Sequence, residues 1–440
     1  MQQYFYQLAD HAKTLLKGPE AFLANLCGEH SDFCRLNGAK VRQAGSVRQS
    51  QLSFKLIAVD RSADATIELS GERAEDQARL GAAVKMLRDQ VAVIPADPYL
   101  MYATDVQSSE TRRPNELPDS QATIAKITAA AKGLDMVGIY AAGLMYRGFA
   151  NSFGQRNWYE NSSFNFDWSF YLRADKAVKT GYAGMKFDDH DFARKVEDAK
   201  TQLGVLDREP RNLKPGRYRV FLTPSALTEV TDMLGWGGFS MKAHKTKQTP
   251  LIKMVEEGAR MNRGVTMREN TKAGIAPNFS TSGYTKPDTV TMIDKGGYHD
   301  CLISPRSAKE YGVATNGAGD GEMPHSFEVS GGDLKTADVL ATLKDGLYIN
   351  NLWYLNYSDR TACRVTGMTR FASFWVENGK ITAPLNVMRF DESVLRMFGD
   401  HLEGLTAETE MILSSSTYGE RSTGSVRLPG ALVNDFALTL

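Results

Sequence analysis

Long apolar runs, histidine, cysteine and a surplus of either charge are what this chain of 440 residues has little of. Each scarcity removes a class of function. The longest apolar stretch, near Met136–Tyr146, is about a dozen residues and too short to cross a bilayer as a helix. The opening residues, from Met1 to His11, have neither the basic start nor the apolar core of a secretion signal. Lys plus Arg (52) equals Asp plus Glu (52). A neutral chain has no electrostatic footprint for nucleic acid, whose binding rests on clustered cations. Four cysteines do not make a disulfide framework in a chain of this size. A cytoplasmic protein that binds neither membrane nor nucleic acid is expected.

Seven histidines are few enough to take singly. A zinc hydrolase of the HExxH or HExxxH type places two imidazoles on one helix face, and no two histidines of this chain have that spacing. Cys27, His30 and Cys34 are loosely ligand-like, but no second pair follows, so an ordinary loop with a buried thiol is expected. Asp188-Asp189-His190-Asp191 opens a predicted helix, where carboxylates complement the macrodipole and cap it. His299 and Cys301 are two apart on a predicted strand and would share a face; with His244 or His325 they make the one alternative metal set. The glycine-rich run Asn316–Glu322 has no strand leading into it and Met323-Pro324 after it. It reads as a mobile loop, since a phosphate cradle needs a helix N-terminus. There is no G-x-S-x-G elbow.

What is present is a globular composition, 42% hydrophobic and 24% charged, in a chain long enough for two domains. Helical spacing runs from Gln3 to Leu26. Arg42–Gln49 is polar and turn-like, and Leu52–Val59 alternates as a half-buried strand does. A helix at Glu75–Asp89 and a polar loop at Asp105–Gln121 come next. A helix at Ala122–Gly133, strands within Met136–Leu172 and a helix at Asp189–Leu206 follow. A Pro-Gly break at Asn212–Arg217 divides the chain. The expected architecture is α+β in two domains. Residues 1–214 pack N-terminal helices on antiparallel strands, and residues 215–440 form mainly a curved antiparallel sheet with short helices. In the second part Tyr218–Leu222 is a strand, Pro224 opens a helix over Ala226–Leu234, and Asn378-Gly379 supplies a type I′ hairpin turn.

Several second-half segments resemble, in order, the TldD/PmbA family of peptidases, also called modulators of gyrase, and its PmbA (TldE) branch in particular. They are Arg217–Ser225, Cys301–Gly312, Gly317–Pro324 with Phe327–Asp333, Asp345–Ile349, and Thr366-Gly367 through Ile381. The resemblance is good from about Arg217 to Val387 and weak before it. It implies a division of labour in which a TldD-type subunit holds zinc on an HExxxH helix after the first strand of the second domain, with a later Cys as a further ligand. Here the matching helix, Ala226–Gly237, has no histidine, and Thr369-Arg370-Phe371-Ala372-Ser373 stands near the later Cys. An arginine does not lose its proton to bind a cation. The resemblance therefore implies no zinc and no catalytic residue in this chain, with zinc only in a TldD-type partner. Arg370, Asn350, Asn351 and Tyr354 are the expected walls of a cavity that holds a peptide or unfolded protein as an added strand. Two other readings stand beside it: a homodimeric peptide-binding scaffold without a peptidase partner, and a metallopeptidase rearranged around His244, His299, Cys301 or His325. Phe371 and Phe374 stand where the branch commonly has glycines, which bears on how closely another chain approaches there.

Overall fold

The computed structural model describes residues 1–174 and 176–440. Helix α1 (Gln2–Leu15) is about half as long as the spacing of apolar residues suggests. Gly18, with φ 55, and Pro19 stop it, and β1 (Glu20–Asn37) begins at once. Apolar residues at helical spacing continue past the helix into what is a strand. Arg42–Gln49, read as a turn, also lies inside a strand, β2 (Lys40–Ala58). A strand exposed on both faces carries no alternation to read.

Strands β3 (Arg61–Glu68), β4 (Ser109–Arg112), β5 (Asp135–Asn151), β6 (Arg156–Arg173) and β7 (Lys176–Gly184) complete the first sheet. Its order is β3-β2-β1-β5-β6-β4, with β7 also on β6. Helices α1, α2 (Arg73–Val93), α3 (Ser120–Ala130) and α4 (Asp189–Leu206) cover it. Asp188 caps α4 as expected, its carboxylate accepting the N–H groups of His190 and Asp191 at 2.8 and 3.0 Å. Alternation along β1 turns Cys34 to the helix-covered core, seven positions from Cys27 and so on the opposite face. Cys27, His30 and Cys34 are thus not one cluster.

The second sheet starts with β8 (Gly216–Leu222), β9 (Met267–Glu269), β10 (Val290–Asp294), β11 (Gly297–Tyr298) and β12 (Ser326–Val329). It continues with β13 (Gly346–Asp359), β14 (Arg364–Glu377), β15 (Lys380–Pro384), β16 (Arg389–Ser393), β17 (Leu402–Leu413) and β18 (Ser425–Leu438). It curls until β8 pairs with β13 on one side and β18 on the other, closing a ring through β14 and β16. Helix α5 (Pro224–Gly235) lies against this ring. Thr223 caps it through a hydroxyl that accepts the Ala226 N–H at 3.2 Å. Its Ala226, Leu227, Val230 and Leu234 are wholly buried among Val220, Leu222, Leu347, Ile349 and Val433. The mixed helix-and-strand, two-domain architecture is the expected one. The hairpin turn is as expected too, with Asn378 at φ 51 and Gly379 at φ 72.

One buried cation ties the two sheets together. Arg421, only 4% exposed, leaves the loop between β17 and β18 and enters the first sheet. Its guanidinium donates to the Ser163 carbonyl and hydroxyl, both at 2.9 Å, and to the Gly143 carbonyl at 3.3 Å. Ser31 Oγ, which donates to Glu29 at 2.6 Å, accepts from it at 3.4 Å. Gly143 is at φ 148, and a Cβ there would stand 2.1 Å from the His30 carbonyl oxygen, so only glycine lets the strands close on this socket. Arg421→Ala is expected to lower stability by roughly 2–3 kcal/mol through lost charged hydrogen bonds. Urea unfolding checks the loss, and limited proteolysis between Leu413 and Ser425 should become faster.

Candidate functional site

The outer face of α5 and the irregular hairpin β13–β14 form one rim. Glu229 and Asp232, one helical turn apart, are the carboxylates of the exposed face of α5. Their surroundings nevertheless disfavour the charged form, and desolvation raises both; for Glu229 the Lys179 ammonium on β7 opposes it. Lys179 lies 5.6 Å from the Phe371 ring centroid. The Arg370 guanidinium is 5.4 Å from the same ring and 4.6 Å from Trp353. Tyr354 continues the row at 5.6 Å from Trp353. Trp353 is 46% and Tyr354 74% exposed, unusual for side chains of that size in a strand. The row thus runs from an acidic helix face through two cations to exposed aromatic rings.

Backbone irregularity aims these side chains. The β13–β14 ladder slips at Ile349/Asn351, Trp353/Asn356 and Tyr357/Asp359. Tyr354 at φ 59 and Phe371 at φ 54 sit in the left-handed region that favours glycine. Each costs about 1–2 kcal/mol, and such costs collect at functional sites because a bulge re-aims a side chain. Tyr357, near the end of the same hairpin, is anchored by donating to the Met233 carbonyl at 2.5 Å, which fixes the hairpin over α5.

Of the four cavity residues expected from the sequence, Arg370 and Tyr354 are in this row. Asn351 is directly opposite Arg370 in the ladder, with its buried Oδ1 unpartnered. Asn350 points the other way, donating to Gln202 of α4 at the seam between the sheets. Trp353, Lys179 and Glu229 were not foreseen. The Trp353-Tyr354 pair was the available signal for the first, since two large aromatic rings in succession cannot both face the core of a strand. For Lys179 the sequence offers none.

The alternative metal set is not brought together. His244 Nε2 lies 2.9 Å from the Gly238 carbonyl, and its Nδ1 lies 2.9 Å from the Tyr298 hydroxyl. A carbonyl only accepts, so Nε2 carries the proton and Nδ1 accepts from Tyr298, which leaves no free lone pair for a metal. His299 is exposed and donates from Nδ1 to the Thr291 carbonyl, while Cys301 is buried. The two follow β11 rather than lying on it, and so do not share a strand face. His325 lies instead beside Lys286 and Glu269, where the glycine-rich loop lines a cleft enclosing about 20 Å³. That is about the room one water molecule needs. Among the described residues no three His, Cys, Asp or Glu gather as a metal site. Burial raises all four thiols, Cys301 to about 11 and Cys27 and Cys363 to about 12, so none is a thiolate near neutrality.

Residues 215–440 match the family described as the PmbA/TldA metallopeptidase C-terminal domain. The chain belongs to the TldD/PmbA family. The fold agrees over nearly the whole chain. TldE from Thermococcus kodakarensis superposes with a TM-score of 0.80 at 13% identity, covering 99% of this chain and 100% of that one. A candidate modulator of a DNA gyrase from Thermotoga maritima MSB8 gives 0.76 at 12% identity, with coverage of 99% and 100%. A candidate modulator of DNA gyrase from Bacteroides thetaiotaomicron VPI-5482 gives 0.71 at 16%, with 99% and 98%. A comparison with curated proteins finds no match. No helix among the described residues is long and apolar enough to cross a membrane. Tested against the zinc that a metallopeptidase family implies, the rim does not fit. Its donors are two carboxylates without an imidazole, and Lys179 and Arg370 bring positive charge to the same place.

Two measurements follow. Tyr354→Asn places a residue tolerant of positive φ at this position and should gain about 0.5–1 kcal/mol, read as a higher urea midpoint with the ring lost. His244 is held below its ordinary 6.5, first by desolvation. The unfolded chain therefore takes up protons first, and the stabilisation, complete above about pH 6.5, is lost as the pH falls through that value. His244→Gln should lose less stability than the parent chain between pH 7.5 and 5.5, measured by urea unfolding.

Proposed function

We propose that this chain is the TldE-type, non-catalytic subunit of a heterodimeric zinc peptidase acting on peptides or unfolded proteins. A TldD-type partner holds the zinc, and this chain supplies one wall of the cavity that holds the substrate. The observation that carries the reading is the pairing of α5 and β14. The helix presents Glu229 and Asp232 where that partner type carries HExxxH, and near the later Cys ligand stands Arg370, stacked on Trp353. Both ligand sets are replaced together, and the replacements form a binding surface. Exposed rings and a delocalised cation suit the side chains and carboxylate groups of an extended peptide. The carboxylates of α5 suit its ammonium groups. The left-handed conformations of Tyr354 and Phe371 fix where the rings stand before any peptide arrives, which lowers the ordering cost of binding.

The test is reconstitution. The chain is co-expressed with an HExxxH-bearing relative, purified through a tag on one of them, and given unfolded peptide. Co-purification, with cleavage only when both are present, is the expected result. Failure of the two to associate would turn the reading towards a homodimeric scaffold. Zinc bound stoichiometrically to this chain alone, lost in His244→Ala or His325→Ala, would favour the rearranged peptidase. Within the reconstituted pair, Trp353→Ala should raise KM about tenfold with little change in kcat, as loss of about 1.4 kcal/mol of uniform binding does.

A further inference from the structure

Arg370 is a half-buried cation without an acceptor. From Asn351 to Trp353 the β13–β14 ladder keeps register, with Asn351 opposite Arg370, Leu352 opposite Thr369 and Trp353 opposite Met368. Leu352 and Thr369 are each 3% exposed and face inward. Asn351, Trp353, Met368 and Arg370 therefore share the outer side of the hairpin, half-buried except for Trp353, which is exposed. The Arg370 guanidinium lies against the Trp353 and Phe371 rings, and among the described residues it makes no hydrogen bond and no ion pair. A ring face attracts the charge but accepts no ordinary hydrogen bond, so the five N–H donors stay free. Arg88, Arg219 and Arg396 are buried to a similar degree, and each meets a carboxylate of this chain.

The other charges of the rim act on one another. Lys179, which meets the same Phe371 ring, favours the ionised forms of Glu229 on α5 and Asp167 on β6. Arg370 is among the influences on neither of them, nor on Asp232. Directly across the ladder, the Asn351 amide has its Oδ1 buried and unpartnered, and its Nδ2 is a second donor beside the guanidinium. Next to these donors, Trp353 and Met368 make an apolar shelf. Met368 stands two residues from Arg370, and alternate side chains of an extended peptide have that same spacing, about 7 Å.

We infer that this face is a carboxylate subsite: Arg370 and the Asn351 amide take a carboxylate of an extended peptide, and Trp353 with Met368 takes a large apolar side chain two residues away from it. The inference rests on the peptidase reading and names the class of substrate that the rim selects. Such peptides carry Asp, Glu or a free C-terminus at that distance from Leu, Met or an aromatic residue. Arginine is suited to the task, because its planar donors meet both oxygens of a carboxylate at once. A peptide with Lys at the same place sets ammonium against guanidinium and is turned away, so the site discriminates by repulsion as well as by attraction.

The probe is a fluorescent Gly/Ser peptide with one Glu, a Leu two residues on and an amidated C-terminus, added to the full chain alone. One control replaces Glu with Gln and another with Lys. A fourth peptide has Gln and a free C-terminus two residues past the Leu, which separates a side-chain carboxylate from a terminal one. Expected is binding of the Glu peptide, the free-terminus peptide or both at least about tenfold tighter than the Gln amide, with the Lys peptide weakest. Arg370→Gln should abolish the preference and Arg370→Glu should turn it towards Lys, with the urea midpoint showing that the fold is kept. On the unaltered chain, a peptide with photoreactive benzoyl-phenylalanine in place of Leu should cross-link within Asn351–Trp353 or Met368–Arg370, located by mass spectrometry. Equal binding of the Glu and Gln amides and the free-terminus peptide, no binding at about 1 mM, or cross-links confined to other elements would overturn the inference. None of these measurements needs a partner or cleavage. A chain that supports cleavage yet binds the peptides equally overturns this inference alone, and one that prefers carboxylates yet never joins an HExxxH relative overturns the peptidase reading alone.

Discussion

Backbone hydrogen bonding on both sides of one short strand holds the second domain closed. β8 pairs in parallel with β13 and antiparallel with β18, so its N–H and C=O groups are used along both edges, and the curled sheet becomes a ring. Val220 and Leu222 then face the core that receives α5, while Phe221 faces the opposite way, towards Leu343 and Val376. Because α5 follows β8 directly, its position is set by that closure. The outer face of the helix is what remains uncovered, and whatever residues stand there become the floor of the rim. In this chain they are the carboxylates Glu229 and Asp232, and the floor is acidic and without an imidazole.

The hairpin above that floor behaves differently from the ring. β13 and β14 pair regularly near Gly346–Ile349, where they belong to the ring, and irregularly beyond it. The irregular part carries the exposed rings and the left-handed residues. A regular ladder would bury every second ring against α5 and send the others straight out. The slips instead lay Trp353, Tyr354 and Arg370 along one surface. Stability is given up locally, in a hairpin whose base is anchored by the ring and whose far end is tied down by Tyr357.

How far the sequence discloses this depends on whether a feature is written locally. Asp188 before α4, Thr223-Pro224 before α5 and Asn378-Gly379 in the hairpin turn are short-range chemistry, and each does in the structure what it does in a peptide. The missing histidine on α5 is likewise visible in one line of text. Other features depend on what arrives from far away. β2 between Lys40 and Arg48 is a strand because β1 pairs with it, and nothing in its own residues alternates by polarity. Asn350 and Asn351 are adjacent in sequence, but the strand sends one to α4 and leaves the other opposite Arg370. Lys179 meets the rim only through the way the two sheets pack. Arg421 stands in a run of Ser, Thr and Gly that gives no hint of its socket.

The Arg421 socket also sets an order of events during synthesis. Ser31, Gly143 and Ser163 all belong to the first sheet, and the side chain that donates to them is translated 258 residues after Ser163. At the usual pace of a ribosome that interval is roughly 10–50 s. Throughout it the Gly143 and Ser163 carbonyls lack the guanidinium that later donates to them. The two sheets therefore do not mature as independent beads on a string: the earlier one becomes complete only when the later one hands it a residue.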